Sequence, residues 1–427
     1  MRMTVHDLLL CDVMLVCFYV ILYLMSDFNI ASLNLRGGRD VKKRTELYEL
    51  MRLKHIDVMF LQETHSDKEN ESRWMMEWEG EAVLSSLSSV SAGVGILFAK
   101  HFIPESYTTQ EIVAGRLMLV EAKYELFNLV FINIYAPTNG PERVLLLSKL
   151  CELLSSCDFK DYLFLGGDFN CTQNDLMDRN HTEPHAASKH TLTRLIKTHD
   201  LIDVWRRQHG NERQYTWVHC RDDFISLARL DRFYCFKHNF NVFKTSQMTP
   251  VSFSDHFLVR CRVFIANFKH RSAYWHFNVS LLNDANFIES FRFFWTSFRK
   301  EKRDFSSYRQ WWDHGKILIQ QLCQEYTANV TRDITKSLRE LEIDIVELQA
   351  LTESTGNRGH FENLKAKKAL MADLLGTKAQ GALVRSRFKG VNEIDAPSRF
   401  IFRMEKKNGQ SRFMHTLCTI DGQHNTL

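Results

Sequence analysis

Between Phe28 and about Ile265 short β-rich apolar runs alternate with stretches of helical spacing. FNIASLN (28–34) reads as a strand and runs into a polar turn at Gly37-Gly38. From Lys42 to Leu53 the apolar residues Leu47, Leu50, Met51 and Leu53 have the spacing of one helical face. IDVMFLQ (56–62), GVGILFA (93–99), RLMLVEAKY (116–124) and LFNLVFINIY (126–135) follow as strands, and the last two lie close enough to form a hairpin. Val144 to Leu154 predicts an amphipathic helix, and DYLFLGGDFN (161–170) a buried strand that runs into a Gly pair. Thr191 to His199 predicts another helix, with RLDRFY (229–234) and FLVRCRVF (257–264) as late strands. Strands mixed with helices, some antiparallel, predict an α/β fold in four layers: two packed mixed β-sheets flanked by helices.

Beyond about Phe268 the character of the chain changes. Residues 270–315 are aromatic and basic (YWHF, FRFFWTSFRKEKRDF, YRQWW), and 316–375 predict long helices. Leu338, Leu341, Ile345 and Leu348 keep a 3-4-3 spacing for about two heptads, which suits a helical hairpin packed on itself or on a neighbour better than a coiled coil. Four regions follow: an apolar leader (1–27), the sandwich (28–265), an aromatic-basic helical region (266–375) and a polar, loosely ordered tail (376–427).

Leu8 to Met25 is the long apolar run. As a helix it would be about 27 Å long, slightly short of a hydrocarbon core of about 30 Å. Asp12 interrupts it, and no small-residue cleavage site follows. A signal anchor is the alternative; the favoured reading is a soluble nuclear or cytoplasmic protein whose functional polypeptide starts near Met25. Hydrophobic residues at 44% and charged residues at 25% of the 427 exclude wholesale disorder. The ten cysteines are scattered without a CxxC pair, which suits reduced, buried thiols and argues against structural zinc. A net charge of +4 is too small to argue for nucleic acid unaided, although it can hide a basic groove beside clustered carboxylates.

Six segments end apolar strands on a polar residue: ASLN at Asn34, FLQETH with Glu63, NIYAP with Tyr135, GGDFN with Asp168 and Asn170, RLDRF with Asp231, and FSDHF with Asp255-His256. Any one of them has a bland explanation as a turn or helix cap. Together they predict convergence on one rim. Two carboxylates about 4 Å apart repel by about 4 kcal/mol at an effective dielectric near 20. Gathering Glu63, Asp168, Asp231 and Asp255 therefore calls for a cation or for protonation. Oxygen ligands with an Asn carbonyl suit Mg²⁺, or Mn²⁺, and that apparatus hydrolyses phosphodiesters.

The ordered set N…QET…YAP…GDFN…LDR…SDH resembles the endonuclease/exonuclease/phosphatase superfamily, which includes exonuclease III, apurinic/apyrimidinic endonucleases, deoxyribonuclease I, sphingomyelinases and inositol polyphosphate phosphatases. SLNLRGGR, FLQETHS, NIYAPT, GGDFNC, DRNHTEPH, LDRFYC and SDHFLV look most like the endonuclease domain of vertebrate long interspersed retroelements. The resemblance implies a metal at Glu63, with Asn34, Asp168, Asn170, Asp255 and His256 around it as direct or indirect partners. It implies that Asp168 activates water, that Asn170 holds geometry, and that Tyr135 meets the phosphate or the departing oxygen. It further implies that His256 donates to the scissile phosphate with Asp231 fixing its tautomer, and that Thr216 and Ser254 bond from behind. DNA would be the partner of this site, with no small-molecule cofactor. The aromatic-basic region is similar to the segment that precedes a reverse transcriptase, and it predicts binding of single-stranded nucleic acid or a helical partner. No YxDD or FADD motif follows residue 270, so such a copy would nick a target but not copy RNA.

Other signals are weaker. Gly93-x-Gly95 lacks the rest of a nucleotide fingerprint. HTEPH (181–185) reads as a surface loop beside the site, and Lys42-Lys43-Arg44 as a solvated helix start.

Overall fold

In chain order the first elements are β1 (Asp27–Asn34), α1 (Val41–Leu53), β2 (Val58–Gln62), α2 (Lys68–Glu77), β3 (Glu81–Ser85), β4 (Val94–Phe98), β5 (Ser106–Val113), β6 (Leu117–Lys123) and β7 (Asn128–Tyr135). Then come α3 (Gly140–Ser156), β8 (Tyr162–Asp168), α4 (Asp175–Asp178), α5 (Ala186–Thr198), β9 (Leu201–Asp203), α6 (Val204–His209), β10 (Trp217–Arg221), β11 (Phe224–Ala228), β12 (Asp231–Phe236), β13 (Phe243–Thr249) and β14 (Leu258–Phe264). The helical extension comprises α7 (Ala285–Phe298), α8 (Tyr308–Thr355) and α9 (Arg358–Arg385), and the short strands β15 (Thr416–Cys418) and β16 (His424–Thr426) follow. The computed structural model describes residues 27–156, 162–221, 224–268, 281–282, 284–385, 416–418 and 424–426. The apolar run 8–25 and most of the polar tail lie outside them.

Two six-stranded sheets carry the fold, ordered β13-β14-β1-β2-β4-β3 and β5-β6-β7-β8-β12-β9. The pairs β1–β2 and β7–β8 are parallel and central, and their neighbours run antiparallel. Parallel partners end at the same edge, so Asn34 pairs in register with Gln62, and Tyr135 with Asp168. The period of two along a strand then sorts side chains between layers. On β7, Phe131 faces inward and meets Phe60 and Phe98 of the first sheet edge-on at 6.0 and 5.6 Å. Its neighbours Val130, Ile132 and Ile134 pack outward with Leu146, Leu147 and Leu150 of α3 and Leu192 and Leu195 of α5. On the far side α1 buries Leu47, Leu50 and Met51. The expected order of helix, sheet, sheet and helix is the observed one.

Several elements had no apolar alternation to announce them. Strand β5 is exposed along most of its length, with Ile112 and Val113 at its end packed against the core, and it pairs antiparallel with β6. Helix α2 is polar and starts at Asp67, whose side chain accepts from the Asn70 amide. The start of α1 is a correction. Arg44 is fully buried, with Nε and Nη2 each donating to Glu77 at 2.6 Å and Nη1 donating to the carbonyls of Gly38 and Arg39. Lys43 donates to the carbonyls of Leu35 and Arg36. Neither faces open solvent, because both tie the strand-end loops to the helix.

Residues up to Ala382 form one compact unit, and Leu383–Leu427 another in which β15 pairs antiparallel with β16. Within the first unit the heptad-like residues Leu338 and Ile345, with Leu364, Met371 and Leu375, are buried in the same cluster as the sandwich core. Phe361 packs with Tyr215, Val218, Ile225 and Leu227 at the β10–β11 hairpin. Helix α9 also runs through Gly376 to Arg385, past the point where the sequence predicts a loose tail.

One glycine is dictated by the sheet. Gly167 has φ +139, and a Cβ there would stand 2.0 Å from the Ile134 carbonyl oxygen of the paired strand. Gly167→Ala is therefore expected to lower stability by at least about 3 kcal/mol, since backbone must move to admit the methyl. Urea unfolding checks this, and an unchanged midpoint contradicts it.

Candidate active site

Where the central strands stop, the chain delivers polar side chains from both sheets to one edge. Asn34 ends β1, Glu63 follows β2, Tyr135 ends β7, Asp168 ends β8 and Asp231 opens β12. Asn34 joins the sheets: its Nδ2 donates to Glu63 Oε1 at 2.9 Å and to Asp168 Oδ2 at 3.0 Å. Tyr135 donates its hydroxyl to the same Glu63 oxygen at 2.8 Å. Just beneath, Gln62 donates to Asn133 Oδ1 at 2.8 Å across the sheets, and Asn133 donates to the carbonyls of Leu61 and Gly95. These buried amides are mutually satisfied, so the two sheets cannot slide without orphaning polar groups. Glu63 itself sits at φ +51, a region costly for a glutamate, as the first residue beyond its strand.

Asp168 and Asp231 are direct partners in the β8–β12 register, and both are buried. With His256 they form a group whose ligand atoms all lie within 4.8 Å of one another. His256 Nδ1 donates to Asp231 Oδ2 at 2.8 Å. Thr216 Oγ1 accepts from the amides of Leu230 and Asp231 at 2.9 and 3.1 Å. Ser254 Oγ donates to the Asn34 carbonyl at 2.6 Å and accepts from the His256 amide at 3.1 Å. Asn170, at φ +48, donates from its amide to Asp168 Oδ1 at 2.9 Å and from Nδ2 to the Ala136 carbonyl at 2.8 Å.

The electrostatics follow from that crowding. Burial, then the neighbouring Asp231 charge, pushes the Asp168 carboxyl well above its ordinary value. Burial alone would lower His256, but the charge and hydrogen bond of Asp231 outweigh it and raise the imidazole to about 9. Tyr135 is pushed far up by burial and by the Glu63 charge, so it remains a phenol and a donor.

The sequence predicts four converging carboxylates, and the structure arranges them differently. Asp168 and Asp231 meet at His256, and Glu63 stands one amide away across Asn34. Asp255 turns instead to Arg36, 3.3 Å away. Among the described residues its Oδ1 is buried without a hydrogen-bond partner, and so is Oδ1 of Asp231. Orphaned carboxylate oxygens beside a carboxylate pair are the donor chemistry of a hard cation. Arg36, His65 (3.5 Å from Glu63 Oε2) and Arg116 (4.5 Å over the Tyr135 ring) line the same edge. Arg36 and His65 lie inside the SLNLRGGR and FLQETHS segments without having been singled out there, and no periodicity or motif marks Arg116. HTEPH is more than a surface loop. Its buried Glu183 accepts from the amide and hydroxyl of Thr172 at 2.9 Å and pairs with Arg179 at 3.3 Å, bracing the turn after Asn170.

Two sheets thus aim carboxylates, amides, a phenol and a histidine at one edge. The chain matches the Endonuclease/Exonuclease/phosphatase family over residues 28–256, more than half its length, and belongs to that family. It is 35% identical over 395 residues to the "Transposon TX1 uncharacterized 149 kDa protein" of Xenopus laevis, covering 92% of this chain and 30% of that protein. The chain thus spans about a third of the length of this curated relative. Among solved structures it is similar to the AP endonuclease LMAP of Leishmania major (16% identity, TM-score 0.49, covering 56% of this chain and 87% of that one). It is also similar to an AP endonuclease of Archaeoglobus fulgidus (18% identity, TM-score 0.46, covering 55% and 98%). Among the described residues no helix is long and apolar enough to cross a membrane.

The His256–Asp231 pair has a pH signature. With its folded pKa raised to about 9, His256 contributes stability in full below the unfolded value near 6.5 and loses it as pH rises through 9. His256→Asn is expected to flatten that part of the unfolding profile. Parallel wild-type and variant profiles between pH 6.5 and 9 would contradict the pairing.

Proposed function

We propose that the chain is a divalent-metal-dependent phosphodiester hydrolase that nicks duplex DNA, of the kind that prepares a target for a retroelement. The observation that carries this reading is the single hydrogen-bonded set in which Asn34 links Glu63 and Tyr135 to Asp168, with Asp231 and His256 packed behind. The orphaned oxygens of Asp231 and Asp255 and the nearby Glu63 carboxylate suit Mg²⁺ or Mn²⁺. Glu63, Asn34 and Asp255 would hold the ion, with Asp168, Asn170 and His256 bordering it; when bound it would neutralise charge on the phosphate and its departing oxygen.

The side chains divide the remaining work. Asp168 accepts the proton of the attacking water once it is ionised, oriented by the Asn34 amide and the Asn170 backbone. His256, kept protonated by Asp231, donates a hydrogen bond to a non-bridging phosphate oxygen. Tyr135 donates to Glu63 at rest and is placed to meet the phosphate or the leaving oxygen. Nuclear or cytoplasmic residence is consistent with a DNA substrate.

The test uses the full chain with supercoiled plasmid and a matched abasic-site duplex, each with Mg²⁺ or EDTA. Nicking is expected to require Mg²⁺ and to fall by about 10²–10⁴ in Asp168→Ala and in Glu63→Ala. The preferred substrate separates abasic-site cleavage from nicking at deformable steps. A folded chain that cuts neither DNA points instead to an inactive copy or to a non-DNA phosphoester.

A second reading concerns the extension. Thr296, Arg299, Lys300, Lys302 and Arg303 line an open cleft of about 530 Å³. Beside it Phe298 stacks on Trp311 at 5.0 Å, and Lys302 lies 3.9 Å from the Tyr308 ring centre. Phe298 is buried, and it is the cations next to the exposed rings of Tyr308 and Trp312 that suit single-stranded nucleic acid. A (dT) oligonucleotide is expected to quench the tryptophan fluorescence, with affinity falling as salt rises. Lys302→Glu is expected to weaken that binding without changing plasmid nicking, and equal binding by this variant counts against the site.

A further inference from the structure

The helical extension reaches the His256 loop from outside. Lys368 of α9 donates from Nζ to the Ser254 carbonyl oxygen at 3.1 Å, and its ammonium stands 5.1 Å from the Phe257 ring centre. Asp255 attracts the same ammonium electrostatically. One side chain therefore engages residues on both sides of His256. On the other flank α8 holds Tyr215, the neighbour of Thr216. Tyr215 donates its hydroxyl to Glu353 at 2.6 Å, Arg213 pairs with that carboxylate at 2.7 Å, and Gln349 donates to the Tyr215 carbonyl at 3.2 Å. Thr216 in turn holds the Asp231 amide, and its carbonyl accepts from the Phe257 amide at 2.7 Å.

Packing does not account for Lys368. Leu364 and Met371, one turn to either side on the same face, already supply the apolar contact of α9 with the core. What Lys368 adds is a directional, charge-assisted bond to a loop carbonyl. The carbonyl belongs to the residue whose hydroxyl donates to the Asn34 carbonyl and accepts from the His256 amide.

We propose that Lys368 is a positioning residue of the active site, locking the Ser254–His256 loop so that His256 keeps its bond to Asp231 and Ser254 its bonds to Asn34. The kinetic consequence rests on the nuclease reading above; the structural one does not. In the full chain, Lys368→Met keeps the aliphatic stem and removes the donor. Amide hydrogen exchange at residues 254–257 is expected to rise at least about tenfold, with β7 and β8 unchanged. On supercoiled plasmid with Mg²⁺, kcat is expected to fall at least about tenfold with KM within about twofold, and Lys368→Arg to restore most of both. Should Lys368→Met fail to fold, Lys368→Leu, which likewise lacks a donor, carries the same comparison. Wild-type exchange at 254–257, or exchange raised alike in every strand, overturns the inference. If the wild-type chain nicks nothing, the nuclease reading fails while the exchange measurement still decides this one.

Discussion

Asp168 and Asp231 are buried opposite each other on neighbouring strands, and the rest of the site is organised around that repulsion. Two carboxylates so placed are tolerable only where something shares their charge. The described residues supply two answers at once. His256 pairs with Asp231, and the Asn34 and Asn170 amides donate to Asp168, while the Thr216 hydroxyl oxygen holds the Asp231 backbone amide. The three donors come from different elements, so the carboxylate pair couples the ends of both sheets. Oδ1 of Asp231 and Oδ1 of Asp255 remain buried without a hydrogen-bond partner among the described residues.

This coupling explains why the polar layer between Gln62 and Asn133 lies where it does. An apolar inter-sheet core tolerates small shifts, because dispersion contacts have no direction. A buried amide pair does not, since a shift leaves donors without partners. The Gln62–Asn133 bond sits one residue from Glu63 on one strand and two from Tyr135 on the other. It therefore fixes the relative height of the two groups that share the Glu63 oxygen. The strained Glu63 backbone is held from the other side, its carbonyl accepting from the Gly37 amide at 2.8 Å.

The central strands were legible because their residues obey the simplest rule, a run of apolar side chains ending on a polar one. FNIASLN, IDVMFLQ, LFNLVFINIY and DYLFLGGDFN all appear as strands within a residue or two of their expected limits. Strand β5 and helix α2 escaped because few of their side chains are buried, too few to set a period. Lys43 and Arg44 misled for the opposite reason. A charged residue reads as exposed unless its partner is known, and Glu77 is 33 residues away.

The sequence by itself determined the layers and the identity of the edge residues, because apolar period and strand-end chemistry are local properties. Which of those residues meet was decided by the tertiary structure. Asp255 and Glu63 look equivalent in the chain, yet one faces Arg36 while the other is held by Asn34 and Tyr135. Arg116 over Tyr135 and Lys368 at the Ser254 carbonyl have no sequence signal at all. The reason is physical: a hydrogen bond or ion pair depends on a few ångströms of separation, and only the packing of sheets and helices sets distances between residues far apart in the chain.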